Sequence, residues 1–78
     1  SKFPGISKES GNWQLLGEIK DGMVYELAFD GNDSDAEIIE KSTGLAFLGD
    51  CVDPYETPQP CAITGRMTTR KQYLARMY

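Results

Sequence analysis

Histidine is absent from this 78-residue sequence, and cysteine occurs only twice. The first absence removes the side chain that most often acts as a general base or metal ligand near neutral pH. Two cysteines without histidine do not make a zinc site, because such a site takes four ligands. No apolar run approaches the roughly 18 residues of a membrane-spanning helix. A chain this short also has too small a core to enclose a complete catalytic pocket.

The two cysteines, Cys51 and Cys61, allow two interpretations. Their separation could close a disulfide if the chain were exported to an oxidising compartment. In a reducing compartment both would remain free thiols that behave as small apolar residues. We favour the free thiols and keep the disulfide as an alternative.

Acidic residues are missing from the end of the chain. All twelve lie between Glu9 and Glu56, so the first 56 residues carry a net charge of −8 and the last 22 a net charge of +4. This asymmetry can mark a basic contact surface. The alternative, which we favour, is that the basic side chains pack beside the acidic part of their own fold, since surface charges mostly pair weakly or stay solvated. The four basic residues concerned are Arg66, Arg70, Lys71 and Arg76.

The beginning of the chain reads as a flexible tail over residues 1–9, followed by a single α+β domain over residues 10–78. Residues 12–21 fit two structures. As a strand they lead into a hairpin turn at Asp21-Gly22, and the local pattern alone slightly favours this interpretation. As a helix they are capped by Asn12, and Gly17 costs about 1 kcal/mol.

The rest of the sequence predicts one helix among short strands. The helix spans residues 33–43, begins with Asp33 or Ser34 as its cap, and ends at Gly44. A proline-rich irregular loop over residues 50–60 and a tight turn at Thr64-Gly65 separate the later elements. Alternating or apolar runs predict strands over residues 23–30, 45–48 and 71–78. The expected fold is α+β with two layers: a mixed or antiparallel sheet of three to four strands with one or two helices on one face.

Three segments in order carry a family resemblance. They are a strand running into Ala28-Phe29-Asp30-Gly31; an acidic helix, a short strand and Cys51; and Cys61-Ala-Ile-Thr-Gly65 followed by a basic stretch and Tyr73-Leu-Ala-Arg-Met-Tyr78. Together they cover about 55 residues and resemble the C-terminal domain of prolyl-tRNA synthetase, in the branch shared by archaea, eukaryotes and some bacteria. The closing strand is the most specific part of the resemblance, because members of the family typically end on tyrosine.

The sequence departs from the family at the metal site. Many members bind zinc through four cysteines, two of them in a C-x-x-C motif; here Cys61 matches the first of that pair and Thr64 stands at the second. The resemblance therefore implies the metal-free variant, with no cofactor. Val52-Asp53 also departs from the usual pattern. The family has a helix before the first strand, which favours the helical interpretation of residues 12–21.

The resemblance implies a non-catalytic domain at the end of a larger, cytoplasmic enzyme. That enzyme would be an aminoacyl-tRNA ligase that charges tRNA with proline at the expense of ATP, while this chain alone would be inactive. Its partners would be the catalytic domain and, indirectly, tRNA, with no membrane and no small-molecule ligand. The domain would brace the catalytic domain and place Tyr78 near the active site.

Two other classes of protein fit the same residues. One is a free-standing interaction module that binds a partner through a strand edge or through the basic C-terminal strand. The other is a small exported protein with a disulfide between Cys51 and Cys61.

The sequence predicts folding without metal, because Thr64 replaces a thiolate and no further soft ligand is present. Circular dichroism spectra before and after chelation should superimpose. Stoichiometric zinc by elemental analysis, together with loss of structure on chelation, would refute this expectation.

Overall fold

A three-stranded antiparallel sheet forms the centre of the fold. The computed structural model describes residues 1–50 and 53–76. Its elements are β1 Ile6–Glu9, β2 Asn12–Leu15, β3 Val24–Ala28, α1 Asp33–Thr43, β4 Ala46–Asp50, β5 Gln59–Pro60, β6 Met67–Thr68 and β7 Lys71–Ala75. The strand order of the central sheet is β3-β7-β4, while β1 and β2 form one two-stranded sheet and β5 and β6 form another. The predicted α+β class is confirmed.

The core lies on one face of the central sheet. Leu74 of β7 is opposite Tyr25 on one side and Phe47 on the other. Residues paired in this way point to the same face, and Leu74 has no exposed surface at all. Ile39 of α1 belongs to the same buried cluster, so the helix packs on this face. The alternation predicted for residues 23–30 is therefore confirmed, since Tyr25, Leu27 and Phe29 are all buried.

Helix α1 spans the predicted residues, but its cap is different. Asn32 is the N-cap, in place of the predicted Asp33 or Ser34. The Asp35 backbone N–H donates to Asn32 Oδ1, and the Asn32 N–H donates to Asp35 Oδ2, both at 3.0 Å. This reciprocal pair satisfies two donors that the first turn would otherwise leave open. Gly44 ends the helix with φ of 75°, a conformation in which a side chain would be strained.

The N-terminal segment is a hairpin, which corrects the flexible tail predicted for residues 1–9. Strands β1 and β2 pair antiparallel from Ile6↔Leu15 to Glu9↔Asn12. Phe3 and Ile6 are buried, and their burial holds the segment on the core. Residues 12–15 are thus a strand, and the helix implied there by the resemblance is wrong.

The predicted strand is present at residues 12–15, but the hairpin predicted to follow it is not. Asp21 and Gly22 form a turn, with Gly22 at φ of 78°. However, β2 pairs with β1 before it and not with β3 after it, so this turn is not a hairpin turn. Helix α1 contacts β2, and the hairpin is packed beside the helix.

The last elements follow the predicted order. Gly65, at φ of 77°, completes the predicted tight turn, and its N–H donates to the Cys61 carbonyl at 3.0 Å. The strand predicted at residues 45–48 is observed one residue later and longer. Of the strand predicted over residues 71–78, the structure describes β7 and Arg76; Met77 and Tyr78 lie outside the described residues. Within the described part of the chain, no helix is long and apolar enough to cross a membrane.

Truncating Leu74 to alanine should lower the free energy of unfolding by about 3 kcal/mol, because the site is fully buried between both neighbouring strands. Urea unfolding followed by circular dichroism measures this change. The matched control is Met67→Ala, since Met67 is 64% exposed and its truncation should change stability by less than about 0.5 kcal/mol. Equal effects of the two substitutions would contradict the assignment of Leu74 to the centre of the core.

Candidate functional site

The end of β7 is held on both sides. Ala75 is opposite Val24 of β3 and also opposite Ala46 of β4. Because both pairings are antiparallel, β3 and β4 begin at the end of the sheet where β7 finishes. Tyr78, the residue singled out by the resemblance, lies three positions beyond Ala75 and outside the described residues.

Arg76 continues β7 and contacts the chain where both neighbouring strands begin. Its Nη1 lies 3.1 Å from Asp21 Oδ1, in the turn that leads into β3. Its Nη2 lies 4.0 Å from the position that a Cβ would take on Gly44, the residue that ends α1. A cation beside a helix C-terminus is favourable, since the last carbonyls carry a partial negative charge. Arg76 thus links β7 to the entries of β3 and β4.

The other predicted basic residues also meet partners within their own fold. Lys71 Nζ lies 3.7 Å from Glu26 Oε2 and 4.9 Å from the centre of the Tyr55 ring. Arg66 pairs with Asp30, and Arg70 also has an interaction partner. Lys71 begins β7 and Arg76 follows its last residue, so the two are about 17 Å apart at the rise of a strand. These pairings favour the interpretation that the basic end neutralises its own acidic fold over that of one continuous contact surface.

A polar cluster around Asp30 ties the loop before β6 to the end of β3. The Thr64 hydroxyl donates to Asp30 Oδ1 at 3.0 Å, and Arg66 Nε donates to Asp30 Oδ2 at 3.2 Å. The Asp30 backbone N–H donates to Cys61 Sγ at 3.4 Å, and Cys61 is a buried free thiol. Backbone bonds reinforce the link, since the Ala62 N–H donates to the Ala28 carbonyl at 2.9 Å. The cluster joins residues more than thirty positions apart.

The cluster stabilises the charged form of Asp30. The hydrogen bond from Arg66 is the main cause that lowers the pKa of the Asp30 carboxyl, with smaller contributions from Cys61 and Thr64. The same pair raises the pKa of the Arg66 guanidinium. This chemistry is that of a structural link: the carboxylate is ionised and bonded from several directions, so it is not placed to accept a proton near neutral pH.

The metal-site residues of the resemblance come together only in part. Cys61 and Thr64 lie beside Asp30, while Cys51 lies outside the described residues. Among residues 1–50 and 53–76 there is no group of three or more histidine, cysteine, aspartate or glutamate side chains arranged to hold a metal ion. The set that the structure brings together is a carboxylate, a hydroxyl, a thiol and a guanidinium.

Both edges of the central sheet contact other parts of the chain. On β3, the Phe3 N–H donates to the Glu26 carbonyl at 2.9 Å and the Glu26 N–H donates to the Ser1 carbonyl at 2.8 Å. On β4, the Phe47 N–H donates to Glu40 Oε2 at 3.0 Å. A strand added at either edge would have to displace these contacts.

A cleft of about 420 Å³ opens between the N-terminal segment, β3 and the proline-rich loop, with Phe3, Tyr55 and Pro60 in its walls. Another cleft, of about 250 Å³, lies beside the first turn of α1 and includes Arg70 and Gln72. The sequence pointed to neither, because each is lined by segments distant in the chain.

Comparisons with known proteins return no relative: no family model, no curated protein and no solved structure matches the chain. The fold defines a small α+β domain.

The sequence analysis did not predict a site at Asp30, which entered only as part of the segment Ala28-Phe29-Asp30-Gly31 that carries the family resemblance. The available signal was weak: a lone carboxylate after a buried strand, with a hydroxyl and a guanidinium two residues apart in a later turn. Their pairing depends on how that turn folds back on β3, which local sequence does not encode.

The lowered pKa of Asp30 predicts a pH-dependent contribution to stability. A carboxyl whose pKa is lower in the folded than in the unfolded state stabilises the fold above its unfolded pKa, and this stabilisation disappears as the pH falls through the folded pKa. The wild-type urea midpoint should therefore drop more between about pH 6 and about pH 2.5 than that of Asp30→Asn. The exposed Glu56→Gln variant should follow the wild type. Parallel curves for all three proteins would contradict the role of the cluster.

Proposed function

We propose that this chain is the non-catalytic C-terminal domain of a prolyl-tRNA synthetase, which braces the catalytic domain and directs Tyr78 towards its active site. The observation that carries the proposal is the central position of β7 in the sheet. The strand that leads to Tyr78 is also the strand around which the domain is built. The parent enzyme, and not this chain, would supply the sites for ATP, proline and tRNA, and its compartment would be the cytoplasm.

A central strand is a suitable base from which to present a chain end. An edge strand pairs on one side only and opens easily, whereas β7 is bonded to β3 and β4 as far as Ala75. Leu74 anchors it in the core. Tyr78 is three positions beyond Ala75, the last paired residue of β7, so only a short segment would have to be ordered for it to enter a neighbouring site, and that lowers the entropic cost. A terminal carboxylate and a phenol would then offer a charge and a hydrogen-bonding group.

The Asp30 cluster supports the metal-free form of this family. A structural zinc joins distant segments by bonding to each of them. Here Thr64 and Arg66 from one segment bond to the Asp30 carboxylate at the end of β3, so protein groups connect these two segments. The positive guanidinium beside the carboxylate also balances local charge, as a metal ion would among thiolates.

The sheet edges count against the alternative of a module that binds partners by strand addition. Phe3 covers part of the β3 edge, and Glu40 accepts the outward N–H of Phe47 on β4. The basic-strand version of that alternative is weakened by the pairing of Lys71 with Glu26 and of Arg76 with Asp21. A free-standing role therefore has less physical support than an appended one.

The first test is genetic and the second kinetic. The reading frame should continue upstream by several hundred codons and encode the catalytic body of a class II synthetase. In that full-length enzyme, deleting Tyr78 should lower kcat/KM for aminoacylation by roughly 10-fold or more, which corresponds to about 1.4 kcal/mol or more of transition-state stabilisation. The melting temperature of the 78-residue chain should change little, because a terminal residue holds few contacts.

Two controls complete the experiment. The 78-residue chain alone should catalyse no proline-dependent pyrophosphate exchange above a buffer blank. The opposite outcome for the deletion, with full activity but a destabilised domain, would make Tyr78 a residue that only covers the core, and the proposal would fail.

A further inference from the structure

The dipeptide Asp-Gly occurs twice in this sequence, at Asp21-Gly22 and at Asp30-Gly31. An aspartate followed by glycine is prone to a spontaneous rearrangement of the main chain, because glycine has no side chain to shield its own backbone nitrogen or to restrict its rotation. The two copies carry the same reacting groups, so their surroundings decide which of them reacts. The structure gives them different surroundings.

The rearrangement has two steps. In the first, the glycine nitrogen attacks the side-chain carboxyl carbon of a protonated aspartate: an N–C bond forms, a C–O bond breaks, and the oxygen leaves as water with the proton of the N–H group. The product is a five-membered cyclic imide. In the second step, water opens the ring. Opening at the main-chain carbonyl leaves the peptide bond on the former side-chain carbon, which is isoaspartate. One water is lost and one is gained, so no co-reactant is needed.

The first copy lies in an open turn just before β3. Asp21 and Gly22 are both exposed. Among the described residues, no atom lies within 4 Å of the position that a Cβ would take on Gly22, so the backbone there has room to rotate. The Asp21 side chain is 66% exposed and pairs with Arg76 through Oδ1 at 3.1 Å. An ion pair this exposed is weak and opens readily. The carboxyl carbon of Asp21 is therefore free to approach the Gly22 nitrogen.

The second copy is held from several sides. Asp30 Oδ1 accepts a hydrogen bond from the Thr64 hydroxyl at 3.0 Å, and Asp30 Oδ2 accepts one from Arg66 Nε at 3.2 Å. Gly31 is packed, since a Cβ there would lie 2.6 Å from the Asp35 Cβ. The bond from Arg66 lowers the pKa of the Asp30 carboxyl, so that group is ionised near neutral pH. An ionised carboxylate reacts poorly because it has no good leaving group.

We propose that Asp21-Gly22 is a site of spontaneous isoaspartate formation, and that the Asp30 cluster protects Asp30-Gly31 from the same reaction. Ring closure requires the nitrogen and the carboxyl carbon to reach one geometry, which the open turn permits and the cluster prevents. The modified chain would be a substrate for enzymes that methylate the free carboxylate of isoaspartate. The proposal is independent of the proposed function, because it rests only on the geometry of the two Asp-Gly copies.

The rearrangement would change the connection between this turn and the sheet. Isoaspartate adds one atom to the main chain and moves the free carboxylate onto the α-carbon, so the present pair with Arg76 Nη1 would be lost. The turn leads directly into Val24, which is paired with Ala75 of β7. The modification therefore removes a link between the entry of β3 and the end of β7.

The test compares the two copies within one molecule. The folded 78-residue chain is incubated for several weeks near neutral pH and then digested after glutamate, because cleavage at Glu26 separates the two copies. A purified isoaspartate methyltransferase then labels the peptides: the isoaspartyl carboxylate oxygen takes the methyl group of radioactive S-adenosylmethionine, and the sulfide leaves. We expect about 5-fold or more label at position 21 than at position 30.

Three variants connect this difference to its causes. Asp21→Glu should abolish the label at position 21, because its longer side chain must close a six-membered ring, which forms far more slowly. Arg66→Ala should raise the label at position 30 by about 3-fold or more and leave position 21 unchanged, because it frees one oxygen of Asp30. Thr64→Val, which removes the other bond and keeps the side-chain shape, should change position 30 in the same direction. Circular dichroism shows whether each variant is folded.

The chain unfolded in urea separates the effect of the fold from that of local sequence. Both copies should then be labelled to similar extents, since neither is held. Equal labelling in the folded chain, or more label at position 30, would overturn the proposal. A preference for position 21 that persists unchanged in urea would overturn it too, because local sequence would then be the cause. A preference that requires folding and falls when Arg66 or Thr64 is replaced would establish it.

Discussion

The fold depends on the pairing of the last strand with both of the other strands in the central sheet. Strands β3 and β4 do not touch each other in the order β3-β7-β4, so neither belongs to a sheet until β7 lies between them. Contacts such as Val24↔Ala75 join residues about fifty positions apart. Closing a loop of that length lowers the conformational entropy of the chain, and the contacts that form must offset this cost. The burial of Leu74 between the two neighbouring strands offsets this cost, and Ile39 of the helix belongs to the same buried cluster.

Charge distribution follows from the same topology. The acidic residues all precede β7 in the chain, and four of the eight basic residues lie in β7 or within five positions of its ends. Because β7 is inserted between earlier segments, its cations meet earlier anions: Lys71 meets Glu26 and Arg76 meets Asp21. Each exposed pair contributes little to stability alone. Together they reduce the repulsion within the acidic part of the chain and within its basic end.

The Asp30 cluster performs a different task from these surface pairs. It does not join strands; it anchors the turn containing Thr64 and Arg66 to the end of β3. That turn directs the chain into β6 and then into β7. A small domain has few buried contacts with which to hold such a connection, and many small domains use a metal or a disulfide for this purpose. Here hydrogen bonds and one ion pair hold this connection, and the buried thiol of Cys61 accepts the Asp30 N–H beside it.

The sequence by itself determined the elements whose signals are local. The limits of α1, the αL conformation of Gly44, the turn at Gly65 and the alternation of β3 all follow from residues within a few positions of one another. Only the tertiary structure decided the rest. Residues 1–9 read as a polar tail because two apolar side chains, Phe3 and Ile6, are too few to predict a strand until a core exists to receive them. The strand order, the partner of each basic residue and the joining of Asp30 to Thr64 depend on contacts between distant segments, whose free energy appears only when the whole chain has folded.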